Sequence, residues 1–153
     1  MKVRGLFPEP RRLLSVSVSA TKCSIDLRPS VIHACHSVET AIREIPRLLR
    51  GEFVAPESGL GTNAFRGNPP GSQVEKVPQA IIMGGGFQAA EFERIQQVCE
   101  PIRKMPWFRA DTSRSTGPPP LELITQRIRE SLEGNCRRAG DEVIGFEPGV
   151  FLF

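Results

Sequence analysis

The chain has no apolar run near the roughly 20 residues that span a bilayer, no cysteines at C-x-x-C spacing, no stripe of one charge and no G-x-G-x-x-G fingerprint. Each absence removes a class of function. Without the apolar run, no membrane-spanning helix is expected. Cys23, Cys35, Cys99 and Cys136 stand too far apart for a zinc ribbon and are too sparse for a secreted disulfide scaffold, which fits a reducing, cytoplasmic setting. Cys35 and Cys99 lie inside apolar patterns and read as small buried hydrophobes. The net charge of +3 is spread over interleaved acids and bases, so neither nucleic acid nor a membrane surface is an expected partner. Lys2, Arg4, Arg11 and Arg12 precede the mildly apolar "LLSVSVSA", but that stretch is short and serine-rich and "FPEP" interrupts the basic part, so no targeting peptide is expected.

What is present points to one α/β domain over residues 1–153, with 39% hydrophobic residues to build its core. Short β-rich segments alternate with helical ones. That alternation predicts a three-layer sandwich with a mainly parallel sheet of about four or five strands, Rossmann-like in class, with the flavodoxin-like order 2-1-3-4-5. The expected strands are "KVRGLF", "SVIHACH", "QAIIMG", "MPWFRA" and "EVIGF". One helix starts at the N-cap Ser37, puts Val38, Ala41, Ile42, Ile45, Leu48 and Leu49 on one face, and ends at Gly51, with Pro46 expected to kink it. Another buries Phe92, Ile95, Cys99 and Ile102 and stops near Pro101; a third follows "GPPP" with Leu121, Ile124, Ile128 and Leu132 before Gly134. "LLSVSVSA" alternates with period two, as a strand would. A parallel pairing of the first two strands, however, needs a crossover of about a dozen residues, so a helix is favoured over residues 10–28.

Residues 52–77 exceed the roughly 2–6 residues of ordinary connections and predict a long flexible loop. Its middle, "GLGTNAFRGN", offers Asn63 and Arg66 to a ligand as a lid would, with a mobile insertion as the alternative. In open α/β sheets, ligands bind beyond the carboxyl ends of the strands. Gly84, Gly85, Gly86 and Phe87 close a strand there and are candidate ligand contacts. Glu91 and Glu93 in the following first turn would repel a phosphate, and the first strand ends in "LFPEP", so a conventional NAD(P) or FAD site is not expected, nor another cofactor. Asp111 and His36 are the weak acid-base candidates, each with a bland turn or surface alternative. His33 and His36 fall on opposite faces of a strand and cannot grip one metal together, so no metal site is expected. Trp107 reads as core.

The combination of "HACHSVETAIREIPRLLRGE", "VPQAIIMGGGF" with "EFERI", and "PWFRAD" with "GPPP" is similar to small single-domain Rossmann-like proteins of filamentous fungi, most of them without an assigned activity. The likeness covers roughly residues 31–132. It implies the fold and a cytosolic protein, and brings no catalytic motif. Three functions compete. The first is a small-molecule-binding domain, an accessory enzyme of fungal metabolism. The second is a non-catalytic interaction module using Val150, Phe151, Leu152 and Phe153. The third is a degenerate relic of a nucleotide-binding enzyme. The chain is expected to be a monomer or homodimer, with the apolar C-terminus packing within its own chain.

Overall fold

The computed structural model describes residues 14–16, 31–65, 77–114, 120–140 and 142–153. Along these run β1 (Leu14–Val16), α1 (Val38–Leu49), β2 (Ala80–Met83), α2 (Ala89–Cys99), β3 (Pro106–Arg109), α3 (Leu121–Gly134), β4 (Cys136–Ala139), β5 (Glu142–Phe146) and β6 (Gly149–Leu152). Short 3-10 turns occupy Thr62–Phe65 and Thr112–Arg114. The fold is mixed α/β. β2, β3 and β6 are parallel, β1 joins β2 antiparallel, and the order across the sheet is β1-β2-β3-β6. β4 and β5 form a separate antiparallel hairpin.

The three helices form where apolar periodicity and end signals agree. At the start of α1, the Thr40 amide donates to Ser37 Oγ (3.1 Å) and the Ser37 amide donates to Thr40 Oγ1 (3.2 Å), which satisfies two of the amides a helix start leaves open. Glu91 does the same for α2, accepting from the Gln88 amide at 2.8 Å. Alternation along β2 and β3 then separates two cores. Ile81, Met83 and Trp107 pack with Ala41 and Ile45 of α1 and with Phe92 and Ile95 of α2. Phe92 meets Trp107 edge-on, with centroids 5.4 Å apart. Ala80, Ile82 and Phe108 pack on the opposite face with Leu132 of α3 and Phe146 of β5, joined by Phe151 and Phe153.

Several expected strands are corrected. "SVIHACH" does not join the sheet: Ile32, Ala34 and their neighbours run extended, but their backbone partners are loop residues. The Ala34 amide donates to Leu60 O (3.2 Å), the Asn63 amide to Ile32 O (2.8 Å) and Ser58 Oγ to Ala34 O (2.6 Å). "EVIGF" is a strand, but of the hairpin. "GVFLF" supplies β6 instead, so the order 2-1-3-4-5 is not the order found among the described residues. Of residues 10–28 only 14–16 are described, and they are a strand, not a helix. The demand for a crossover disappears once "SVIHACH" lies outside the sheet, and local period two prevails. "KVRGLF" lies outside the described residues.

Candidate functional site

His33 and Cys35 lie two positions apart on an extended backbone, so both side chains project to one side. Glu44 reaches them from α1. His33 Nε2 lies 2.6 Å from Glu44 Oε2, and Cys35 Sγ donates to the same oxygen at 3.6 Å. The other carboxylate oxygen accepts the Glu57 amide at 3.2 Å and lies 3.5 Å from the Arg43 guanidinium, which also pairs with the Glu57 carboxylate. His33, Cys35 and Glu44 are 0%, 1% and 3% exposed. A carboxylate this deep is tolerable only when its oxygens are satisfied, and here each has a donor.

Burial lowers the His33 pKa, against the opposing pull of the Glu44 hydrogen bond and charge. The imidazole is therefore neutral at pH 7, and facing a carboxylate it carries its proton on Nε2. That leaves Nδ1 as a bare acceptor, with no hydrogen-bond partner among the described residues. An orphaned buried polar atom costs about 1–3 kcal/mol. Burial, and then the neighbouring Glu44 charge, push the Cys35 thiol far up, and burial alone pushes Cys99 up to about 12. Neither is an activated nucleophile.

The loop after α1 closes over this cluster. Gly61 is where the loop comes nearest: its φ is +106°, and a Cβ there would stand 2.5 Å from Ile32 O and 2.7 Å from the His33 amide nitrogen. Only glycine fits both constraints. Asn63, an expected ligand contact, is buried against the same backbone, with its Nδ2 unpartnered among the described residues. Arg66 lies outside the described residues.

Gly84, Gly85, Gly86, Phe87 and Asp111, also expected site residues, follow the carboxyl ends of β2 and β3. None of Gly84, Gly85 and Gly86 has a positive φ. Gly85 instead leaves room for Thr112, whose Cγ2 would lie 2.9 Å from an added Cβ. The Ala110 amide donates to Met83 O at 3.0 Å, so the segments after the two strands touch. Phe87 is buried in the α1/α2 core. Asp111 Oδ1 accepts the Ser113 amide (3.0 Å) and Ser113 Oγ (2.5 Å), an Asx turn. His36 is exposed just before α1 and takes no part in the buried cluster. The structure thus brings Gly85 to the Asp111 loop, places His36 elsewhere, and adds His33, Cys35 and Glu44. A signal for them exists in the sequence: Glu44 sits three positions after Ala41 and four before Leu48, inside the apolar stripe of its helix.

The chain is 28% identical over 130 residues to Kojic acid related protein 6 of Aspergillus oryzae, a match covering 77% of this chain and 73% of that protein. No protein-family model and no solved structure matches the chain. No helix among the described residues is long and apolar enough to cross a membrane.

Proposed function

We propose that this chain is a small accessory protein of fungal secondary metabolism that binds a small molecule at the carboxyl edge of its parallel strands, in the manner of a Rossmann-like domain in the cytoplasm. The observation that carries the reading is the divergence of two connections. The segment after β2 leads to α2, which packs on one face of the sheet, and the segment after β3 leads towards α3, which packs on the other. Neighbouring strands whose connections part in this way flank the crevice where open α/β sheets take ligands. Gly84, Gly85, Gly86 and Asp111 lie at that place. The name of the Aspergillus oryzae relative supports a metabolic setting.

The chemistry of the edge narrows the ligand. Glu91 already occupies the amide at the start of α2, and the glycines do not curl their amides around an anion through positive φ. A phosphate would meet a carboxylate there. The ligand is therefore a neutral or cationic small molecule, and no dinucleotide is needed. The test is native mass spectrometry of the full chain purified from a filamentous fungus. A co-purified small molecule that is retained by wild type and lost from Asp111→Ala is the expected result; a chain that carries nothing, or an adduct indifferent to Asp111→Ala, contradicts the reading.

A second reading rests on β6, whose Val150 and Leu152 are 45% and 62% exposed at the end of the sheet order. These are the apolar residues an interaction module would present. Sedimentation across a range of concentrations separates monomer from homodimer.

A further inference from the structure

The His33, Cys35 and Glu44 cluster is a set of metal donors that the edge site does not use. Each residue offers one ligand atom, and those atoms all lie within 4.8 Å of one another. The set mixes imidazole nitrogen, thiol sulfur and carboxylate oxygen, which is the donor chemistry of zinc. Its burial is close to complete, and the outer contacts of Glu44 are in place: the Glu57 amide and the Arg43 guanidinium hold the second Glu44 oxygen, so the carboxylate is set to bind through one oxygen only. His33 is wholly buried with Nε2 turned to the Glu44 oxygen that also faces Cys35 Sγ, so the three donor atoms converge on one place.

We propose that His33 Nε2, Cys35 Sγ and Glu44 Oε2 bind one divalent zinc ion beneath the loop that carries Glu57 and Gly61. Charge balances at such a site. One thiol proton leaves to solvent, the imidazole proton passes from Nε2 to Nδ1, and thiolate, carboxylate and neutral imidazole offset the two positive charges. Zinc bonds of about 2.0–2.3 Å set neighbouring donors somewhat more than 3 Å apart. The 3.6 Å between sulfur and oxygen already suits this, and the 2.6 Å between nitrogen and oxygen widens by rotation of the Glu44 carboxylate. Three protein ligands leave a fourth position for water, the arrangement of zinc sites with an open coordination place. The expectation that no metal binds rests on the spacing of the cysteines and on the two histidines as a pair; it does not combine His33 with Cys35 and Glu44. This inference is independent of where the small molecule sits.

The test uses the full chain, stripped with a chelator and then loaded with cobalt(II) as a spectroscopic probe and with zinc(II). One ion per chain is expected. Cobalt should give a thiolate charge-transfer band that persists in Cys136→Ser and vanishes in Cys35→Ser. Glu44→Gln, which keeps the shape of the side chain, should weaken zinc by more than the roughly 100-fold that losing an outer-shell partner costs. Should Cys35→Ser fail to fold, X-ray absorption of zinc in the wild-type chain decides, with one sulfur at about 2.3 Å and the other ligands nitrogen or oxygen. Absence of binding, a band that survives Cys35→Ser in folded protein, or a zinc shell with no sulfur or with two would overturn the proposal.

Discussion

Two glycines of one loop separate packing from backbone strain. Gly59 and Gly61 both have positive φ, +71° and +106°, but an added Cβ meets nothing within 4 Å at Gly59 and strikes the Ile32 and His33 backbone at Gly61. Gly59→Ala should therefore cost about 1–2 kcal/mol, the price of a left-handed residue. Gly61→Ala should cost more, because a backbone contact cannot turn aside, and urea unfolding of the two variants measures the difference. His33 makes a pH prediction for the metal-free protein. Its folded pKa is lowered from 6.5, chiefly by burial. The unfolded chain then takes up the proton more readily, so stability is whole above pH 6.5 and declines as pH falls from there through the lower folded value. Thermal melts between about pH 8 and 5 should show this decline, and His33→Gln should flatten it. At this scale the sequence was legible only in part. Testing the histidines against each other missed the pair that matters, since the partner of His33 comes from a helix 11 residues on and shares its side with Cys35.

At the scale of elements, periodic segments were readable and segments held by tertiary partners were not. α1, α2 and α3 appear where Ser37, Gly51, Pro101 and "GPPP" bounded an apolar stripe. "AIIM" and "PWFR" are strands because buried residues run through all of the first and through the first three positions of the second, as parallel strands covered on both faces require. "SVIHACH" carries the same apolar signal, yet its backbone is satisfied by Leu60, Ser58 and Asn63, whose segment has no period to announce the pairing. β4 and β6 carry no strand signal of their own: "CRRA" is polar, and "GVFL" is a short apolar run whose burial within the chain does not by itself require pairing. β6 pairs in parallel with β3 and brings the partly buried Phe151, with Phe153 just after the strand, against the core that holds Leu132 of α3. Deleting residues 150–153 should accordingly lower the melting temperature by the same amount at every protein concentration. A loss of stability that grows on dilution would mean that the tail is held by a second chain.

Among the described residues, the four-stranded sheet separates two cores, and the buried polar cluster lies at the margin of the α1/α2 core, to which Cys35 belongs. Three pieces of chain meet there: the extended segment with His33 and Cys35, helix α1 with Glu44, and the loop with Glu57, Gly61 and Asn63. The described part of the loop after α1 covers that cluster: the Glu57 amide donates to Glu44 Oε1 and the Asn63 amide to Ile32 O, and Gly61 lies against the His33 backbone. Zinc bound to His33, Cys35 and Glu44 would join the first two pieces directly and the loop through the Glu57 amide. Hydrogen exchange of the full chain, resolved at the amides of Glu57 and Asn63 with and without one equivalent of zinc, tests this most directly. If the loop is docked over a metal-binding cluster, both amides exchange far more slowly than unprotected chain in the absence of zinc, and slower still when it is added. Exchange at the unprotected rate in both states would contradict it.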